Sequence, residues 1–150
     1  MTGAEERADE QVLTILLYAS DRKTRTDVRL ALGRKVAADL PPVRVLEVAT
    51  PAALITAMDA GGVDLAILDG EAVPAGGMGM SRQLKDEILR CPPILLLVGR
   101  ADDAWLAAWS RADGAVPHPV DPMRLPAAVA KLLRPAMSAE TGVVPTTSVS

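Results

Sequence analysis

The chain repeats one pattern of apolar and polar positions. A short unbroken apolar run is followed by a longer stretch in which apolar residues recur every three or four positions. The first spacing suits a buried strand, the second an amphipathic helix. "VLTILLY" (12–18) reads as the first strand. In "ASDRKTRTDVRLALGRKVAADL", Val28, Leu30, Ala31, Leu32, Val36 and Leu40 predict a helix, with Asp21 or Thr24 as its cap and Pro41 and Pro42 as its stop. "VRVLEV" alternates as a strand, and "TPAALITAMDAGG" has Thr50 at N-cap, Pro51 at the first helical position and glycines at the end. "VDLAIL" is the third strand, "MGMSRQLKDEILR" a helix closed by Pro92, and "PILLLVG" the fourth strand. "ADDAWLAAWSRAD" predicts a short fourth helix, "AVPH" a fifth strand and "DPMRLPAAVAKLLR" a final helix capped by Asp121.

Five alternations of apolar strand and helix imply an α/β domain with a parallel sheet covered on both faces. Right-handed crossovers reduce the topologies to a doubly wound one. In such sheets the functional crevice lies beyond the carboxyl ends of the strands. Asp69 ends the third apolar run, in "VDLAILDGEAVP", and so stands on that edge. The domain is expected over 12–134, after a flexible 1–11 segment. The tail "PAMSAETGVVPTTSVS" (135–150) is polar, small and Pro-containing, and is expected to be disordered.

Composition narrows the function. A net charge of −3 gives no bulk attraction for nucleic acid. No apolar run reaches the about 20 residues of a membrane helix, so direct membrane insertion is not expected. The acidic start "MTGAEERADEQ" lacks signal-peptide character, which points to the cytoplasm. Cys91 is the only cysteine and His118 the only histidine, so neither a disulfide nor a Cys/His zinc site is expected. Tyr18, Trp105 and Trp109 are the only aromatics, so the core must be built from aliphatic residues.

The element order, the Asp ending the third strand and the His-Pro step in "RADGAVPHP" together resemble the receiver (CheY-like) domain of bacterial response regulators. The resemblance spans about 12–134 and implies a five-stranded flavodoxin/CheY-like sheet in the order 2-1-3-4-5. It also implies that Asp69 matches the phospho-acceptor. A working receiver surrounds that aspartate with an acidic pair that holds magnesium, a Thr or Ser, a Lys and a switch aromatic. Phosphoryl transfer depends on such positioning and charge neutralisation. Aligned by element, Ala19 and Ser20 stand at the acidic pair, with Asp21 one residue late. Val98 stands at the Thr/Ser position, His118 at the Lys and Ala115 at the aromatic. The turn after Asp69 is one residue longer than the family pattern, with Pro74 displaced. Only Asp69 of the reacting set remains. No metal site is expected, Asp21 and Asp69 being the weak candidates for magnesium.

Simpler roles compete at each position. A strand-end Asp commonly caps the following turn, a His between Pro117 and Pro119 suits a loop, and Cys91 reads as a spectator thiol. "GGMGM" lacks the Lys-Ser/Thr of a nucleotide loop, so Gly76 and Gly77 read as turn residues entering a helix. The basic stretch of the first helix reads as a solvated face. Trp105 and Trp109, four apart, share one helix face. The resemblance puts that face, with the fifth strand and fifth helix, where receivers bind partners, and Trp is enriched at binding hot spots.

The expected function is therefore non-catalytic: a stand-alone, degenerate pseudo-receiver that needs no cofactor and binds a protein partner through its Trp-bearing face. Some orphan receivers of this kind resemble accessory proteins of respiratory NADH dehydrogenase (complex I), which implies a peripheral position on the cytoplasmic side of the inner membrane. The alternative is an active single-domain response regulator, phosphorylated on Asp69 with magnesium in a two-component phosphorelay. A third reading is a small-molecule sensor with a ligand above Asp69.

Overall fold

The computed structural model describes residues 11–99 and 108–141. Its strands are β1 (Leu13–Tyr18), β2 (Val43–Val48), β3 (Leu65–Asp69), β4 (Ile94–Val98) and β5 (Gly114–Pro117). Its helices are α1 (Arg22–Leu32), α2 (Pro51–Ala60), α3 (Gly77–Glu87) and a C-terminal helix (Arg124–Thr141). The strands are all parallel, in the order β2-β1-β3-β4-β5.

Strand residues alternate between two cores, because successive side chains leave opposite faces of a sheet. Leu13, Ile15 and Leu17 of β1 join Leu65, Ile67, Leu95 and Leu97, under Val28 and Leu32 of α1 and Leu125 and Val129 of the C-terminal helix. Leu16 and Tyr18 join Ala66, Leu68, Ile94 and Leu96, under Leu54 and Met58 of α2 and Met80 and Leu84 of α3. All of β1, β3 and β4 is buried, as apolar runs enclosed by helices on both faces must be. Removing one such Leu side chain from water stabilises the fold by about 1.5–3 kcal/mol.

Local chemistry sets the helix starts. The Asp21 carboxylate accepts the Thr24 N–H at 3.0 Å, Thr50 Oγ1 accepts the Ala53 N–H at 3.1 Å, and Asp121 accepts from Met123 and Arg124. The third strand ends at Asp69 and the fifth at Pro117, each one residue from the sequence reading, and three helix ends differ further. The first helix ends at Leu32, not at the prolines, because Gly33 takes φ 59°, and residues 34–42 are irregular. The third helix ends at Glu87 rather than Arg90. The C-terminal helix passes through Pro135 to Thr141, seven residues into the stretch expected to be disordered. The apolar side of that helix continues beyond Pro135, with Met137 packed against the first core, which outweighs the amide that Pro135 lacks. Arg134 also pairs with Asp39 at 2.9 and 3.0 Å, clamping this helix to the α1–β2 connection.

Candidate functional site

Parallel register brings the ends of β1, β3, β4 and β5 to one edge of the sheet. Asp69 is the last residue of β3 and only 3% exposed. Its Oδ1 accepts the Glu71 N–H at 3.0 Å, which caps the turn, and lies 2.9 Å from His118 Nε2. His118 follows β5 directly, and its own N–H donates to the Val98 carbonyl at 2.8 Å. The sole histidine is thus not a free loop residue. Its ring crosses the end of β4 to meet the aspartate that ends β3. The signal in the sequence was topological: once β3, β4 and β5 are neighbours, residues just past β3 and β5 face each other.

The loop after Asp69 is tied on all sides. The N–H of Gly70 donates to Leu97 O (2.8 Å), that of Glu71 to Asp69 Oδ1, that of Ala72 to Asp69 O (3.1 Å), and that of Val73 to Ser20 Oγ (3.0 Å). The Tyr18 hydroxyl donates to Ala75 O at 2.5 Å. Burial first, and the Asp69 charge second, push the Tyr18 hydroxyl above its ordinary pKa. The sequence reading missed both tethers from β1. A tyrosine as the last residue of a buried strand was the available clue, since a buried phenol finds a partner.

The other positions that the resemblance singled out lie as follows. Ala19 is fully buried and Val98 is 4% exposed, and both add to the core. Ser20 uses its hydroxyl on the loop. Asp21 is committed to the α1 cap, and its bonds to the Thr24 side chain and N–H lower its pKa. Ala115 is exposed on β5. Among the described residues no group of three or more His, Cys, Asp or Glu side chains could hold a metal ion. An open depression of about 350 Å³ lies beside the site, lined by residues that include Lys23, Asp27, Glu71, His118 and Pro119, and Asp69 is not among its walls.

Away from the site, burial pushes the Cys91 thiol above its ordinary pKa. Trp105 lies outside the described residues. Trp109 is 48% exposed, and the Arg82 guanidinium of α3 lies 5.0 Å from its ring centroid. Arg82 also donates to the Trp109 carbonyl at 2.8 Å, so this tryptophan stands against the third helix. No described helix is long and apolar enough to cross a membrane.

No protein-family model matches the chain. An uncharacterized response regulatory protein of Mycobacterium tuberculosis, found in two strains, is 58% identical over 122 residues, which covers 81% of this chain and 92% of that protein. A CheY-like response regulator receiver domain protein from Methanospirillum hungatei superimposes with TM-score 0.67 at 15% identity, over 86% of this chain and 99% of that one. A LuxR-family two-component response regulator from Aurantimonas gives TM-score 0.69 at 20% identity, over 83% of this chain and 87% of that one. Sheet order, the position of Asp69 and the close relative agree: the chain belongs to the response regulator family, as a receiver (CheY-like) domain.

Proposed function

We propose that this receiver is a pseudo-receiver, which acts by binding another protein and not by accepting a phosphoryl group. The observation that carries the reading is the state of Asp69. Its carboxylate is buried at 3% exposure and engaged by His118 and the Glu71 N–H. A nucleophilic carboxylate must meet an anionic donor, and that encounter requires compensating positive charge. Ala19, Ser20 and Val98 supply none. The test is intact mass after incubation with acetyl phosphate and magnesium. No added phosphoryl group is expected. Stoichiometric phosphorylation that disappears in Asp69→Asn would establish the two-component reading instead.

The half-exposed Trp109 supports a docking role, because a large aromatic left in solvent gains most when a partner covers it. The family resemblance offers respiratory NADH dehydrogenase as the partner, with this chain as a peripheral accessory subunit and no cofactor of its own. Affinity purification in mild detergent tests that host. Co-purification of NADH dehydrogenase subunits, lost in Trp109→Ala, is the expected result. Recovery of a histidine kinase alone would overturn it.

A further inference from the structure

The segment from Gly70 to Gly76 is closed on itself more tightly than a turn of its length requires. Three glycines make this possible. A Cβ on Gly70 would lie 2.8 Å from Leu97 O, one on Gly76 2.7 Å from Gly70 O, and one on Gly77 2.7 Å from Asp69 O. Each of those neighbours is backbone, so no side chain fits at any of the three. The two ends of the loop therefore touch. Inside it, the N–H groups of residues 70–73 all have partners within the molecule. Residue 74 is a proline with no N–H to place. Two of the contacts come from one place, the end of β1: Ser20 Oγ holds the Val73 N–H and the Tyr18 hydroxyl holds Ala75 O.

Ser20 and Tyr18 flank Ala19, at the strand end where an acid pair would otherwise recruit a cation. The bonds they make are neutral and direct. We infer that Tyr18 and Ser20 form a metal-independent latch that keeps the 70–76 loop closed over Asp69, so that the loop surface presented to a partner is constant whether or not magnesium or a phosphoryl donor is present. The inference deepens the pseudo-receiver reading and rests on it. It names the positioning residues that act where a receiver would place its cation.

Amide hydrogen exchange of the full chain, read by mass spectrometry over 70–76, tests the latch. Exchange there is expected to be slow, and unchanged by millimolar magnesium or by beryllofluoride. Ser20→Ala is expected to speed exchange in this segment by about five-fold, the loss of one typical intramolecular hydrogen bond. Ser20→Thr, which keeps a hydroxyl, is expected to restore protection, and Tyr18→Phe to act like Ser20→Ala. Peptides from β3 and β4 serve as the control for global stability. If Tyr18→Phe loosens those strands as well, Ser20→Ala alone decides. Protection of the loop by magnesium in the unaltered chain would overturn the inference, as would unchanged exchange in Ser20→Ala. Phosphorylation by acetyl phosphate in the separate mass assay, with the loop still insensitive to magnesium, would overturn the pseudo-receiver reading and leave the latch standing.

Discussion

Replacing His118 with Ala removes the contact that defines the site. The His118 and Asp69 atoms are 2.9 Å apart, and the side chains are 20% and 5% exposed. An ion pair in open solvent contributes about 0–1 kcal/mol. The His118–Asp69 contact is shielded, and a hydrogen bond to a carboxylate contributes about 1.5–3 kcal/mol. His118→Ala is therefore expected to destabilise the protein by about 2 kcal/mol, since it also leaves part of a buried carboxylate unsatisfied. For a domain of this size that lowers Tm by roughly 4–8 °C. Urea denaturation of the wild type, His118→Ala, Asp69→Ala and the double variant, followed by tryptophan fluorescence, isolates the pair. Asp69→Ala also orphans the Glu71 N–H, but that cost is common to both arms of the cycle and cancels. The expected coupling is about 1.5–2 kcal/mol, whereas sites that do not interact agree with additivity to within about 0.5 kcal/mol. A coupling inside that limit would refute the claim that His118 holds Asp69.

Other outcomes follow from the same geometry. Tyr18 is the only tyrosine, so its ionisation can be followed by ultraviolet absorbance. It is expected to titrate above the ordinary value of about 10. The stability linked to it is fully present below the unfolded pKa and falls as pH rises through the folded one. Asp69→Asn removes the second cause of that shift and is expected to lower the Tyr18 pKa, and an unchanged titration would contradict the proximity of the two groups. Gly77→Ala places its Cβ against the backbone of Leu68 and Asp69 and is expected to cost about 2–3 kcal/mol in chemical denaturation. Gly99→Ala meets only the tip of the Glu71 side chain and is expected to stay within about 0.5 kcal/mol of wild type. On the acid side, hydrogen bonds hold Asp21 and Asp121 below the usual carboxylate range, so the stability they give is present above about pH 4 and is lost as pH falls through their folded pKa values. Asp21→Ala and Asp121→Ala are each expected to flatten the acid limb of a Tm-versus-pH curve. Trp109→Ala is expected to cost about 0.5–1 kcal/mol, the scale of its exposed contact with Arg82, while abolishing partner recovery.

Most of the fold could be read from the sequence because the cues were dense and local. Unbroken apolar runs marked β1, β3 and β4, and Asp21, Thr50, Pro51 and Asp121 marked helix starts at which side chains do accept the expected N–H groups. Helix ends were harder. The apolar periodicity of the first helix runs past Gly33 because Val36 and Leu40 are buried too, though from irregular backbone. Pro135 looked like a terminator, yet packing along the C-terminal helix overrides it. At the site, the losses at Ala19 and Val98 were visible one residue at a time. The gains were not, because a contact such as His118 to Asp69 joins residues 49 apart and Ser20 to Val73 joins residues 53 apart. No periodicity encodes such pairs. They appear only once strand order is known.

The changes at the sheet edge form one consistent set. Phosphotransfer needs charge and hydroxyls at the strand ends, whereas the fold needs only buried surface and satisfied backbone. Ala19 and Val98 are buried at less than 5% exposure, so at these two strand ends the side chains serve the core. Ser20 is a hydrogen-bond acceptor for the loop, and His118 sets its ring against Asp69. Ser20 holds the 70–76 loop and His118 meets the Asp69 carboxylate, both without an external ion. A site damaged at random would leave buried polar atoms unpaired, but among the described residues no buried side-chain nitrogen or oxygen lacks a hydrogen-bond partner. Asp69 is thus the point at which the end of β3, the residue that follows β5 and the 70–76 loop meet.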